Sequence, residues 1–243
     1  MKRRFIGLTD TGVVRTANQD SHSIDDPQGR FFIVADGMGG HAGGEEASRI
    51  ATEQIRTHLE TYWDDENISS QQLLEEAIDK ANKSILEDQL EHPERKDMGT
   101  TVVVTIFRER PWCAHVGDSR LYRWRKSELE QVTDDHTWVS LAIKSGEISK
   151  EQAKLHPWRH VLSQCLGRKD LYKIELQELD VQSGDVILMC SDGLTEEVSD
   201  EKIQDFLSEC ESCEQAAEQL IAAAKEAGGS DNITVVLVAA EDE

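Results

Sequence analysis

Between the apolar run Phe31–Ala35 (FFIVA) and the next one, Thr100–Phe107 (TTVVVTIF), the chain carries two helical patterns in succession with no strand between them. In the first, Ala47, Ile50, Ala51, Ile55, Leu59 and Tyr62 recur at three- and four-residue steps and predict a helix from about Glu45 to Tyr62. In the second, Ser69 with Gln72 resembles a capping box, and Leu74, Ala77, Ile78, Ala81 and Ile85 carry the stripe to about Leu90. Further strand-like runs follow at Trp112–Val116, Leu121–Trp124 and Val186–Cys190; a helix pattern over Glu214–Ala227, closed by Gly228, then precedes Ile233–Ala239. This order lacks the strict βαβα alternation of a parallel sheet. The strands are expected to pair as hairpins with helices packed outside, an α+β arrangement. The 243 residues show no repeat, low-complexity tract or linker, so a single domain over 1–243 is expected.

The same order decides one motif. The stretch FFIVADGMGGHAGGEEASRIA (Phe31–Ala51) satisfies G-x-G-x-x-A at Gly37, Gly39 and Ala42, the dinucleotide fingerprint. A dinucleotide fold needs a second strand after the first helix, with an acid near its end to hold the ribose. Here DDENISSQQ leads into another helix, and the cofactor reading is set aside.

Charge narrows the partners. Lys and Arg number 26 against 48 Asp and Glu, a formal charge of -22 that repels nucleic acid and anionic lipid. No run approaches the ~20 apolar residues of a membrane span, and the N-terminal segment lacks the apolar stretch of a signal peptide, so a cytoplasmic location is expected. The five scattered cysteines argue against a disulfide framework, and the lone C-x-x-C of Cys210 and Cys213 lacks the second ligand pair of a zinc site.

The aspartates are the distinctive feature. Asp36 stands where FFIVA ends, Asp118 follows WCAHVG, Asp192 follows VILMCS, and Asp231 precedes NITVVLV. One such acid reads as a turn residue, since Asp-Gly is a common hairpin signal. Four of them at core-strand ends, joined by Asp20, read as a rim of carboxylates that would repel one another unless a cation neutralised them. Oxygen ligands without a His-Cys cluster favour a hard cation, Mg2+ or Mn2+.

Eight segments then fall into a known order: RTANQDS (Arg15–Ser21), ADGMGGHAGGEEAS (Ala35–Ser48), MGTT (Met98–Thr101), HVGDSRLYRW (His115–Trp124), VTDDHT (Val132–Thr137), LSQCLG (Leu162–Gly167), CSDGLTEEVSD (Cys190–Asp200) and GGSDNITVVLV (Gly228–Val238). Together they resemble the bacterial metal-dependent protein phosphatases of the protein phosphatase 2C-like (PPM) family. WCAHVGDSRLYRWR and HPWRHVLSQCLGR also resemble the cyanobacterial phosphatases that act on the phosphorylated PII signalling protein. The resemblance implies a four-layer α-β-β-α sandwich, two antiparallel sheets flanked by helix pairs, and a serine/threonine phosphatase with two Mg2+ or Mn2+ ions. It implies that Asp36 bridges both ions, that the Gly37 carbonyl holds one and Asp192 and Asp231 the other, and that Asp20 acts through bound water. A third ion would take Asp118 with Asp192.

Water between two cations about 3.5–4 Å apart loses a proton near neutral pH and attacks phosphorus in line. Arg15 matches the family's phosphate-binding arginine, whose guanidinium fork suits two phosphate oxygens. His41 is the candidate acid for the departing Ser or Thr oxygen, with a substrate-positioning role as the alternative. Gln19 stands where many relatives carry Glu, which removes one negative charge near the ions. The segment Asp134–Gly167 resembles a flap subdomain. Within it Lys150, Lys154, Arg159 and His160 with Trp158 either contact a phosphorylated protein or form a solvated surface helix and turn. His115 and Trp112 are expected in the sheet core. A non-catalytic pseudo-phosphatase is disfavoured because every metal aspartate and Arg15 are present; a hydrolase of small phosphoesters is the other alternative. A phosphorylated protein as partner and a monomeric state complete the expectation.

Overall fold

The structure, a computed structural model, describes residues 2–40 and 43–242. Its strands form two sheets in which every pairing is antiparallel. The second sheet begins with β2 (Asp20–Ile24) and β3 (Phe31–Met38), continues through β5 (Val102–Phe107) and β6 (Pro111–Val116), and ends at β9 (Glu175–Glu178), with the short β4 (Gly99–Thr100) beside β3. The first sheet runs from β1 (Lys2–Asp10) through β11 (Ile233–Glu241), β10 (Val186–Cys190) and β7 (Arg120–Arg125) to β8 (Glu128–Gln131).

Alternation along the central strands divides the apolar residues into three cores. From β3, Phe31, Ile33 and Ala35 pack under α1 (Gly43–Tyr62) and α2 (Ser70–Glu91), while Phe32 and Val34 point to the opposite sheet. From β11, Ile233, Val235 and Leu237 pack under α6 (Asp200–Glu209) and α7 (Cys213–Ala227), while Val236 and Val238 face inward. Helices, sheet, sheet and helices therefore lie in four layers, as the resemblance implied. Phe32 anchors the middle layer, its ring 5.2 Å from Phe5 and 5.9 Å from Phe107. Complete burial of each such side chain contributes about 1.5–3 kcal/mol.

The helix patterns are realised with small shifts at their ends. Ser69 caps α2 by accepting from the Gln72 N–H, but the Gln72 side chain turns to Glu76 at 2.7 Å, so only half of the capping box forms. Beyond Gly228, Gly229 takes up a left-handed conformation (φ 53°) that closes α7. The run Thr100–Phe107 is divided between β4 and β5. Between β8 and β9 lie two short helices, α3 (Trp138–Lys144) and α4 (Lys150–Lys154), and α5 (Asp192–Thr195) follows β10. Trp158 stands beyond α4, 54 % exposed, edge-on to Trp138 at 5.1 Å. Cys210 and Cys213 are free thiols at the α6–α7 turn, with no second ligand pair beside them among the described residues. No described helix is long and apolar enough to cross a membrane.

The two ends of the sandwich differ in chemistry. At one end two bidentate ion pairs fasten the turns: Arg30 grips Asp25 at 2.7 and 2.9 Å, and Arg125 grips Asp185 at 2.7 and 2.7 Å. The opposite end collects carboxylates.

Candidate metal centre and active site

The aspartates singled out in the sequence converge because they occupy the same ends of neighbouring strands. Asp20 opens β2, Asp36 lies near the end of β3, Asp118 follows β6, Asp192 opens α5 just after β10, and Asp231 stands two residues before β11. Asp36, Asp118, Asp192 and Asp231 line one cavity of about 430 Å3, together with Arg15 and Gly37. Asp20 sits beside it, paired with Asp36 across β2 and β3. His160, Leu162 and Gln164 of the segment between α4 and β9 line the same cavity from another side. His41 lies outside the described residues.

Crowding dominates the electrostatics. Burial, and then the charges of Asp20, Asp192 and Asp118, raises Asp36 well above the ordinary carboxylate range. Asp118 is raised in the same way by burial and then by Asp192, and Asp192 by burial and then by Asp231. Asp20 is pushed up to about 7, chiefly by burial, although two hydroxyl hydrogen bonds pull it down. Glu196, one turn along from Asp192, is pushed up to about 7 by burial and then by Asp192, and it contacts His160.

Local geometry fixes each acid in place. The Asp36 N–H donates to Thr101 Oγ1 at 3.0 Å, its carbonyl accepts from Thr100 Oγ1 at 2.8 Å, and Thr101 Oγ1 meets Ser119 Oγ at 2.6 Å beside Asp118. Gly117, just before Asp118, adopts φ 109°, and its N–H donates to His136 Nδ1 at 3.1 Å. That ring stacks on the buried His115 at 4.6 Å, so His115 belongs to the core as expected, whereas Trp112 is only partly buried against it. Arg120 lies behind the rim, forked onto Asp135 at 2.9 and 2.7 Å, and its charge opposes the raised pKa of Asp118 and Asp192. The glycines allow backbone to meet backbone: a Cβ on Gly37 would stand 2.0 Å from the Gly44 carbonyl, and one on Gly193 2.0 Å from the Asn232 carbonyl. Arg15 reaches Asp231 at 2.6 Å from the cavity mouth and is half exposed.

Gln19 is a structural hub. Its N–H donates to Asn232 Oδ1 at 2.7 Å, and its carbonyl accepts from the Gly37 N–H at 3.1 Å and from Ser48 Oγ at 2.6 Å. Asn232 in turn donates through Nδ2 to the Thr11 and Ala17 carbonyls, both at 2.9 Å, and so ties the Arg15 loop to the β11 end. Asn232, Ser191, Thr234 and Thr101 stand inside the sequence motifs, yet nothing in residue type alone marks them as supports.

The donor set fits hard divalent cations. Asp20 Oδ1 is buried, and no hydrogen-bond donor among the described residues reaches it. Such an atom costs about 1–3 kcal/mol or more when left unpaired, and a water bound to a cation held by the neighbouring acids would satisfy it. Asp36, Asp192 and Asp231 with the Gly37 carbonyl would supply oxygen ligands of the kind Mg2+ and Mn2+ select.

Residues 13–227 match the family Protein phosphatase 2C. The chain is 36 % identical to protein phosphatase PhpP of Streptococcus pneumoniae over 244 residues, which cover 97 % of each. It is 35 % identical to the serine/threonine phosphatase stp of Listeria welshimeri, covering 95 % of this chain and 93 % of that one. Among solved structures, the Mycobacterium tuberculosis serine/threonine phosphatase PstP/Ppp superposes with a TM-score of 0.89 at 35 % identity, over 99 % of both chains. The catalytic domain of PstP in complex with two manganese ions superposes with a TM-score of 0.84 at 34 % identity, also over 99 % of both.

Proposed function

This chain belongs to the protein phosphatase 2C family and is a metal-dependent serine/threonine protein phosphatase using Mg2+ or Mn2+, and on that premise we propose how its own residues divide the work. Asp36 would hold both ions, the Gly37 carbonyl one of them, and Asp192 and Asp231 the other. Asp20 would act through bound water, and Asp118 with Asp192 would hold a third ion. The observation that carries this reading is one cavity in which Asp36, Asp118, Asp192 and Asp231 converge and which Arg15 also lines. Bound there, two ions supply Lewis acidity and a nucleophilic water at neutral pH.

The remaining steps belong to side chains. Arg15, half exposed and reaching inward from the loop after β1, forks onto two phosphate oxygens and favours the charge of the transition state. His41 donates a proton to the departing serine or threonine oxygen. Its alternative role, holding the substrate, predicts a different pattern: loss of proton donation slows alkyl phosphoesters far more than aryl ones, whereas loss of positioning raises KM for both. The segment 134–167 acts as a flap, a reading supported by His160, Leu162 and Gln164 along the cavity wall. The substrate is a protein phosphorylated on serine or threonine, and the formal charge of -22 speaks against nucleic acid.

The test is phosphate release from a phosphothreonine peptide by metal-stripped protein, with Mn2+, Mg2+, Ca2+ or no metal restored and Asp192→Ala in parallel. Release that needs Mn2+ or Mg2+ and disappears in Asp192→Ala is the expected result. Substantial activity in the variant would overturn the assignment. Phosphorylated PII protein in a further arm separates that substrate from a generic phosphopeptide, and both from small aryl phosphates.

A further inference from the structure

Asp20 is held in an unusual way. Its Oδ2 accepts from Ser191 Oγ at 2.7 Å and from Thr234 Oγ1 at 2.7 Å, while its Oδ1 has no donor among the described residues. Both hydroxyls are fully buried and come from the opposite sheet: Ser191 follows β10 and Thr234 lies in β11, whereas Asp20 opens β2. Each hydroxyl is itself aimed. Ser191 Oγ accepts from the Thr234 N–H at 2.9 Å, which leaves its proton for Asp20. Thr234 Oγ1 gives its proton to Asp20 and lies 2.8 Å from Thr9 Oγ1, which can donate to it; Thr9 in turn accepts from Asn18 Nδ2 at 2.8 Å. The chain Asn18, Thr9, Thr234, Asp20 thus runs in one direction of donation and ends on one carboxylate oxygen.

We propose that Ser191 and Thr234 are positioning residues for the metal centre: by occupying Asp20 Oδ2 from two directions they set the carboxylate plane and leave Oδ1 turned to the ions. A carboxylate with both oxygens free to rotate would share its lone pairs between hydroxyls and cation. Two donors on one oxygen break that symmetry, and hydrogen-bonded partners behind a metal site typically change its affinity 10–100-fold when removed. The inference rests on the metal-centre reading above, so its test reads ion binding directly and needs no phosphatase activity.

Mn2+ binding to full-length, metal-stripped protein is measured by calorimetry or by loss of the free-ion EPR signal, in the wild type and in Thr234→Val, Thr234→Ser, Ser191→Ala and the Thr234→Val/Ser191→Ala double variant, with Tm recorded without metal. The expected result is a tenfold or larger loss of Mn2+ affinity in Thr234→Val and Ser191→Ala, a greater loss in the double variant, and recovery in Thr234→Ser, which keeps the hydroxyl. A purely structural role would lower the metal-free Tm and leave the Mn2+ affinity of the folded protein unchanged. Unchanged affinity, or an equal loss in Thr234→Ser, overturns the proposal. Failure of the wild type to bind two Mn2+ would instead bring down the metal-centre reading and this inference with it.

Discussion

Asp20 and Asp36 stand directly opposite one another as a cross-strand pair of β2 and β3, two acids where a sheet ordinarily avoids like charges. The arrangement sacrifices stability for a site. Asp36→Asn should therefore leave the metal-stripped protein at least as stable as the wild type, with an unchanged or higher Tm, while hydrolysis of a phosphothreonine peptide falls at least ~10³-fold. A metal-stripped Asp36→Asn protein that melts well below the wild type would refute the repulsion argument.

The same crowding sets a pH dependence. Burial raises Asp20 from 3.8 to about 7 and lifts Asp36 well above its ordinary range. A carboxyl with a higher pKa folded than unfolded holds its proton more tightly in the native state, so stability is present at low pH and is lost as pH rises from the unfolded value through the folded one. Burial pulls five histidines (His22, His58, His115, His136 and His160) the other way, and comparison of two proteins that share them cancels that contribution. The Tm advantage of metal-stripped Asp36→Asn over wild type should grow between about pH 5.5 and about pH 8. A constant gap would contradict it.

Arg15 pairs with Asp231 at 2.6 Å but is half exposed, so its worth to folding is small. Its fork is what a phosphate needs, and a lysine offers only a point charge. Arg15→Lys should reduce kcat/KM for a phosphopeptide about 10–150-fold with little change in Tm, the range for a lost hydrogen bond to a charged group. Steady-state kinetics beside a melting curve decide the matter.

Gly193 and Gly40 form a contrasting pair. A Cβ on Gly193 would lie 2.0 Å from the Asn232 carbonyl oxygen, whereas one on Gly40 meets nothing within 4 Å. Gly193→Ala must push the α5 start away from the β11 end, at a cost of at least about 1–3 kcal/mol. For a domain of this size that lowers Tm by about 2–4 °C per kcal/mol. Gly40→Ala should melt within about a degree or two of the wild type. Thermal unfolding of both variants checks the close approach.

What could be read from the chain follows the way apolar residues are distributed. The six strand runs recognised by their β-branched residues correspond to β3, β4 with β5, β6, β7, β10 and β11, which lie inside the sheets, and α1, α2 and α7 appear within two residues of the expected limits. The strands that escaped, β1, β2, β8 and β9, are the four edges. An edge strand such as DSHSI, intermediate in exposure throughout, takes its conformation from pairing with a neighbour and carries no apolar run to announce it. The helix α6 escaped because its buried face consists only of Ile203 and Leu207. At the site, the aspartates were legible because they interrupt apolar runs, and their convergence followed from an antiparallel sandwich. Ser191, Thr234 and Asn232 were not, since a hydroxyl or an amide beside a strand is commonplace until its partner across the sheets is known.

The two ends of the sandwich are held differently. At one, Arg30 with Asp25 and Arg125 with Asp185 clamp the turns within each sheet. At the other, Asp20 reaches across to Ser191 and Thr234, and the aspartates of the rim come from both leaves. Parting the leaves at the rim would separate Asp20 from its hydroxyls and Asp36 from Asp192 in one movement, so on the proposed ligand assignment the ions would also tie one leaf to the other.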